Sequence, residues 1–333
     1  MKILIASAAL LLVYFFYSPA PRAFYLEGHA QGTTWHITYY SADSLISKSS
    51  IDSILAEIDS SLSIYKPYSL ITAFNNSPRG IIVDKHFKRV VKKSIDVWKA
   101  TGGLSDITVA PLVDAWGFGV RENNFVAPSD SVLRLIRGCV GSRLIRLKGD
   151  SLIKVMPCVK IDVNGIAQGY TVDVIAKFFR KHGLRNYIVE VGGELRVSGR
   201  KPGGEMFRIG IEAPNGDDYS VPPLQRRISV VEGAITTSGN YRKFHESGGE
   251  RGFHIIDPRT GHPVENELIS VTVYAKDAIT ADGYDNAIML MGLEKGMKFI
   301  ERRGNLAAFF IYRKIDGSVA DTATTSFRRL IVE

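Results

Sequence analysis

The chain is short of several things that would have announced a function at once. No G-x-G-x-x-G run joins a strand to a helix anywhere in its 333 residues, so a nucleotide would have to be held by something other than a dinucleotide-binding turn. Only two cysteines occur, Cys139 and Cys158, and their spacing fits no motif; a single disulfide in an oxidising compartment and two buried thiols both stay open. No long block of like charge exists either. The densest clusters are Lys88, Arg89, Lys92 and Lys93, and the pair Arg226 and Arg227, so the net charge of +8 is spread over the surface. That argues against nucleic acid as a partner and is compatible with a small anionic ligand. Internal repeats and low-complexity tracts are also missing. What is present, 45% hydrophobic residues and 31 glycines, is enough for a large core in one or two domains.

At the N-terminus, Lys2 precedes an almost unbroken apolar run from Ile3 to Tyr17, followed by Ser18, Pro19, Ala20, Pro21, Arg22 and Ala23. This is the order of an export signal. The run is shorter than the roughly 20 residues a spanning helix needs, although aromatic residues at its end suit a membrane interface. Residues 1–23 are therefore expected to be a signal peptide or an N-terminal membrane anchor held by residues 3–17, and residues 24–333 the working domain. The expected location is extracytoplasmic, on the periplasmic side, either free or anchored to the inner membrane. No cysteine precedes Cys139, which closes the lipoprotein route.

Beyond that segment, Thr33 to Tyr40 alternates as a half-buried strand does, and Ile51, Leu55, Ile58 and Leu62 recur at helical spacing. Val90, Val91, Ile95 and Trp98 mark a second helix. Leu144 to Leu147 and Leu152 to Val155, joined through Gly149 and Asp150, read as a hairpin. Ile166 to Phe179 reads as a helix, Tyr187 to Val231 mainly as strands, Ile269 to Tyr274 as a strand and Thr280 to Met291 as a helix. Paired strands with helices between them predict an α+β fold of mostly antiparallel sheets packed with helices.

Three segments carry chemistry. In the stretch from Lys160 to Tyr170, Asp162, Asn164 and Gly165 stand where a strand gives way to a helix, a place with free N–H groups suited to phosphate. Taken locally, Asp162 and Asn164 read first as helix caps. In the stretch from Thr280 to Asn286, Asp282 and Asn286 lie four apart on one helical face with Asp285 adjoining, an oxygen set that suits a hard cation such as Mg²⁺ and equally an acidic first turn answering the helix dipole. In the stretch from Phe253 to Val264, His254 ends a strand before a turn rich in Pro and Gly; it suits proton transfer, phosphate contact or a structural role. The pair Gly192 and Gly193 reads as a tight turn between strands, with close approach to a ligand as the functional alternative.

In this order the segments resemble the ApbE family. Its D-x-x-x-I-A-K-G-Y stretch is similar to Asp162 to Tyr170, its H-I-I-D-P-x-T-G stretch matches His254 to Gly261, and its T-A-D-x-x-x-T stretch is similar to Thr280 to Asn286. Gly32, Thr33 and Thr34, the Ser63 to Ser69 stretch with Phe74 and Asn75, Asp106 to Val113 with Trp116 to Gly119, Gly192 to Glu194, and Thr237 to Gly239 support it. The resemblance runs from about residue 28 to the C-terminus. It implies a T-fold-like architecture and an FAD:protein FMN transferase, which splits FAD, passes FMN to a threonine hydroxyl of an acceptor protein and releases AMP. Carried over by position, FAD contacts fall at Gln31, Tyr65, Leu104, Ser105, Asp106, Asp162, Gln168 and Ile256. Mg²⁺ falls between the Gly165 carbonyl, Asp282 and Asn286, and the catalytic candidates are His254 and Asp282. Acceptors in the family are flavin-bearing subunits of membrane redox pumps.

Three positions depart from the pattern. Gln31 stands where the family often has Met, Gln168 where it often has Lys, and Asn286 where it often has Thr. Losing the Lys removes a cation that would meet phosphate, whereas Asn286 keeps an oxygen for a metal. Against the transferase stand a flavin-binding carrier, which has no need of Asp282 and Asn286 opposite Gly165, and an FAD pyrophosphatase, in which water replaces the threonine. A structural membrane-anchored protein leaves the ordered motifs unexplained.

Overall fold

The computed structural model describes residues 20–120, 127–214, 223–240, 244–247, 250–253 and 255–332. His254 and the apolar run at residues 3–17 lie outside the described residues. In chain order the strands are β1 (Arg22–Ala30), β2 (Thr33–Ser41), β3 (Gly80–Ile82), β4 (Ile145–Lys148), β5 (Ser151–Lys154), β6 (Tyr187–Val191), β7 (Glu194–Ser198) and β8 (Phe207–Glu212). They continue as β9 (Leu224–Val230), β10 (Glu232–Gly239), β11 (Phe244–Ser247), β12 (Glu250–Phe253), β13 (Leu268–Ala275), β14 (Leu306–Arg313) and β15 (Val319–Ala323). The helices are α1 (Lys48–Leu62), α2 (Leu70–Asn76), α3 (Lys85–Ala100), α4 (Ala110–Ala115), α5 (Asp130–Arg137), α6 (Asn164–Lys181), α7 (Ala278–Glu301) and α8 (Thr325–Arg328).

The central sheet has eight strands in the order β1-β2-β6-β7-β10-β13-β14-β15, and its pairs are antiparallel. The fold is thus α+β with antiparallel pairing, as the grouping of strands predicts. Alternation sends side chains to opposite faces of a strand. From β2 and β6, Trp35, Ile37, Tyr39, Val189 and Val191 face α1 and α6, where they meet Ile51, Leu55, Val172, Ile175 and Phe179. From β7, β10 and β14, Val197, Ile235, Phe309 and Ile311 face the other way, onto Phe207, Ile209 and Ile228 of the β8–β9 hairpin and Phe327 of α8. Phe179 is fully buried between Tyr39 and Tyr187, edge-on to both rings. Truncating such a ring to Ala typically costs about 3–5 kcal/mol.

Local signals explain most boundaries. Ser47, Ser69 and Asp84 cap α1, α2 and α3 by accepting N–H bonds from Ser50, Thr72 and Phe87. The hairpin at Gly149 and Asp150 forms as read, with Leu147 opposite Leu152. The helix expected to stop at Met291 breaks there, at Gly292 with φ +74°, and then resumes to Glu301. Glu267 accepts the Leu293 N–H and Asn266 donates to the Met289 carbonyl, so backbone groups freed by the break are satisfied. The sequence reading opens the domain with a single strand; in the structure β1 precedes it, starting at Arg22 within the segment expected to be signal or anchor. No described helix is long and apolar enough to cross a membrane. Cys139 and Cys158 form a disulfide.

Candidate active site at the start of α6

Several of the candidate residues meet at the start of α6: Asp162, Gly165, Asp282, Asn286 and Tyr65 all contact it or belong to it. Gly169 lets α6 and α7 approach closely: a Cβ there would lie 2.5 Å from the Ala278 carbonyl oxygen and 2.6 Å from the Asp282 Cβ. The same approach lets the Gly169 N–H donate to Asp282 Oδ2 at 2.7 Å. One turn earlier, a Cβ on Gly165 would lie 2.5 Å from Asn286 Nδ2. Gly165, Asp282 and Asn286 therefore converge where α6 crosses α7, although Gly169 and Asp282 are 113 positions apart in sequence.

The sheet supplies the floor. Thr236 and Ser238, two apart on β10, point the same way; Thr236 donates to Asp285 Oδ2 at 2.9 Å and Ser238 to Asn286 Oδ1 at 2.6 Å. Asp282 and Asp285 are 4% and 2% exposed. Burial pushes the Asp282 carboxyl up to about 7, with Asp173 adding to the shift and the Gly169 N–H opposing it. Burial, and then Asp282, push Asp285 well above the usual carboxylate range. Glu194 on β7 is pushed the same way, by burial first and then by Asp282 and Asp285. A carboxylate, an amide oxygen and a main-chain carbonyl, beside further buried acids, fit a hard divalent cation. Among the described residues, no three His, Cys, Asp or Glu side chains are arranged to hold a metal by themselves. A hard ion at such a place would complete its shell with main-chain, amide, water or phosphate oxygens.

At the mouth, Asp162 Oδ1 accepts the Asn164 N–H at 2.8 Å, so the cap-like bond is made, one step before the helix proper. Its carboxyl is shielded from water although the residue is only half-buried, and burial raises it to about 6, with Asp114 adding to the effect. Tyr65 is 59% exposed, a ring left open with its hydroxyl end bonded to the Asn164 side chain. Desolvation of that end, and then the neighbouring Asp162, raise the phenol. Such a ring is a ready stacking surface.

Of the other candidates, Gln31 and Gln168 are tied to this hub directly, the 104–106 loop through its neighbour Ile107, and Ile256 lies in a separate apolar cluster. Gln31 and Gly32 both have positive φ, +54° and +73°, and make the turn between β1 and β2. Gln31 Oε1 accepts the Thr171 hydroxyl of α6 at 3.2 Å. Gln168 reaches the Gly192 turn, where a Cβ would lie 2.6 Å from its Nε2. Gly192 and Gly193 do form the tight turn, with φ +64° and +104°. Leu104, Ser105 and Asp106 follow α3 in one loop, and Leu104 is buried. The Asp106 carboxylate accepts from Thr108 N and Oγ1 and from Ser142 N and Oγ, so its side chain is occupied in holding the loop. Next to it the Ile107 carbonyl accepts the Asp162 N–H at 2.7 Å, which joins that loop to the mouth. Ile256 buries its side chain against Leu112, Trp116, Leu133 and Val140.

The arrangement can be set beside known proteins. The family model of the ApbE family matches residues 31–310. The chain belongs to the ApbE family. The FAD:protein FMN transferase of Vibrio cholerae serotype O1 is 38% identical over 331 residues, 98% of this chain and 97% of that protein. Its namesake in Haemophilus influenzae is 33% identical, covering 92% of this chain and 90% of its own. Among solved structures, the flavin transferase ApbE from Vibrio cholerae superposes with a TM-score of 0.82 at 35% identity, over 93% of this chain and 99% of that one. The apo flavinyl transferase ApbE of Pseudomonas stutzeri gives 0.84 at 32%, over 93% and 97%.

In this member of the ApbE family some site residues escape a reading of the sequence. Ser238 is visible in the sequence only as part of the Thr237 to Gly239 stretch and Thr236 not at all, yet their i, i+2 spacing on a strand puts two hydroxyls on one face. Asp173 accepts the Ala278 and Ile279 N–H groups, and Asp277 caps the same helix through Thr280. The positive end of α7 is thereby spent internally, which leaves the acids further along it for other work.

Proposed function

We propose that this ApbE-family chain is a flavin transferase that cleaves FAD and joins FMN through a phosphoester bond to a threonine of an acceptor protein, with AMP as the other product. The observation that carries the reading is the convergence of Gly165, Asp282 and Asn286 beside the open mouth formed by Asp162, Asn164 and Tyr65. Relatives bearing the name FAD:protein FMN transferase align along nearly the whole chain and support it.

In this reading Tyr65 offers its face to a flavin or adenine ring, and the loop at Leu104, Ser105 and Asp106 lines the same mouth with its apolar and main-chain groups. Asp162, Gln168, Gln31 and Ile256 border the bound FAD. Asp282, Asn286 and the Gly165 carbonyl would hold Mg²⁺, which supplies charge neutralisation on the pyrophosphate oxygens. The threonine hydroxyl attacks the phosphorus on the riboflavin side; the bond from that phosphorus to the bridging oxygen breaks, and AMP leaves with that oxygen. The hydroxyl must lose its proton, and His254, assigned by its place in the motif, is the candidate to take it or to position the phosphate. What the protein mainly contributes is alignment of nucleophile, phosphorus and leaving group.

We place the enzyme outside the cytoplasm, with flavin-bearing subunits of membrane redox pumps as its acceptors. The disulfide between Cys139 and Cys158 supports that placement, because such bonds persist in oxidising compartments. So does the apolar run at residues 3–17, as an export signal or an inner-membrane anchor. The deciding assay combines FAD, Mg²⁺ and a threonine-bearing acceptor and weighs the acceptor by mass spectrometry. A mass gain of one FMN with release of AMP is expected. FMN and AMP released free, with the acceptor unmodified, would replace the transferase reading by that of a pyrophosphatase.

A further inference from the structure

The buried acids around α7 include one that the proposed ligand set does not use. Glu194 opens β7, where Leu195 pairs with Ile235 of β10. That register puts Glu194 beside Thr236, on the sheet face that looks at α7, because directly opposed residues share a face. Glu194 is 8% exposed, and its Oε2 has no hydrogen-bond partner among the described residues. Most groups on its strand neighbours are engaged elsewhere, although Arg196 Nε, like Glu194 Oε2, makes no hydrogen bond among the described residues. Thr236 donates to Asp285, Ser238 donates to Asn286, and Arg196, two residues along, is paired with Glu232 at 2.7 Å and with Asp173 at 3.5 Å. A carboxyl is thus held in the interior beside two others, with one oxygen unspent and no ion pair among the described residues.

Buried polar atoms are rarely left without a partner, and a buried carboxylate without a counter-charge is costly. A cation bound close by removes both difficulties. The side chains are not placed for three acids to chelate one ion directly. We propose that Glu194 is a positioning residue of the divalent-cation site, acting through its free oxygen on the groups that surround the ion bound by Asp282, Asn286 and the Gly165 carbonyl. The proposal rests on the metal reading of that site given above. Groups of this kind orient the direct ligands, and their loss commonly weakens metal binding about 10- to 100-fold.

The test uses the full chain, with Mn²⁺ as the probe, bound ion measured by electron paramagnetic resonance in the presence of FAD, and thermal melts of the metal-free protein alongside. Glu194→Gln keeps the shape and removes the charge. The expected result is a rise of about 10-fold or more in the Mn²⁺ concentration for half-saturation, with a metal-free melt no lower than that of the parent, since one of three crowded acids has been removed. Glu194→Asp, which keeps the charge but draws it back by one methylene, should lie between. An unchanged half-saturation in Glu194→Gln overturns the proposal and leaves the metal site standing; it would mean that Glu194 merely shares a proton with its neighbours, a role Gln can fill. Loss of the metal-free melt in both variants marks a purely structural role and overturns it as well. If the parent itself binds no Mn²⁺, the metal reading falls and Glu194 falls with it.

Discussion

Replacing Gly165 by Ala separates metal binding from folding more cleanly than removing a carboxylate does. Gly165 has φ −86° and ψ +24°, which Ala adopts without strain, so the backbone need not change. At a backbone position it can adopt, Ala is favoured over Gly by roughly 0.4–1 kcal/mol, because it restricts the unfolded chain. Against that, the new Cβ would lie 2.5 Å from Asn286 Nδ2, where ordinary contact begins at 3.4 Å, so the amide must retreat by about 0.9 Å (3.4 − 2.5). The retreat strains the 2.6 Å bond from Ser238, and such a bond is worth about 1 kcal/mol. The two effects nearly cancel, so the metal-free melt should move by no more than about 2–4 °C, the shift expected from about 1 kcal/mol in a large domain. Catalytic constellations tolerate only about 0.5 Å of displacement, and an error near 1 Å can cost about 100-fold. Transfer of FMN to an acceptor, followed by mass spectrometry across a Mg²⁺ series, should therefore need about 10- to 100-fold more Mg²⁺ or fall by that factor. Parent-rate transfer with an unchanged Mg²⁺ requirement would refute the placement of Asn286 and Gly165 at the metal.

Asp282→Asn should abolish FMN transfer while keeping most FAD binding, with partial recovery at high Mg²⁺; it is a better probe than Asp282→Ala, which would strand the Gly169 N–H at a cost of about 1–3 kcal/mol. Calorimetric FAD titration beside the transfer assay checks it, and full transfer at low Mg²⁺ would count against the assignment. Opening the Cys139–Cys158 bond, whose cysteines are 19 residues apart, should lower stability by about 3 kcal/mol, read as the same fall in melting temperature for the double Ser variant and for the reduced parent. Lys154 is buried over the Phe74 ring, and desolvation brings its ammonium down to about 8. Between about 8 and its ordinary 10.5 the unfolded chain holds this proton and the folded one does not, so stability from this group rises with pH across that window. Melts of the parent and Lys154→Met from pH 7 to 10.5 should move apart in the parent's favour as pH rises; a constant gap would contradict it.

The legible part of this protein was local. Helices with an apolar stripe, such as Ile51, Leu55, Ile58 and Leu62, announce themselves because 3.6-residue spacing and one buried face are the same fact. The strand Arg22–Ala30 was missed although its burial alternates, because it begins where an export signal ends and its polar residues lie on an exposed face. The break at Gly292 ended the expected helix in the right place, but continuation to Glu301 depends on Asn266 and Glu267, which come from another part of the chain.

The site divides in the same way. Sequence alone determined which residue types stand together: Asp162 with Asn164 and Gly165 at a helix start, Asp282 with Asp285 and Asn286 on one helical face, because bonds and helical pitch fix neighbours within a few residues. It left open whether Asp162 was a cap, whether the acids of α7 answered a helix dipole, and whether Cys139 met Cys158. Tertiary structure supplied the contacts: Asp162 makes the cap-like bond to the Asn164 N–H, Asp173 and Asp277 take the first N–H groups of α7, and Cys139 meets Cys158. Gly169 brings α6 against α7 so that an N–H of one meets a carboxylate of the other, and β10 sets two hydroxyls beneath Asp285 and Asn286. Asp106, by contrast, proved to spend its side chain on Thr108 and Ser142. The reason is physical: burial, distance and desolvation belong to groups far apart in the chain, and no spacing rule carries them.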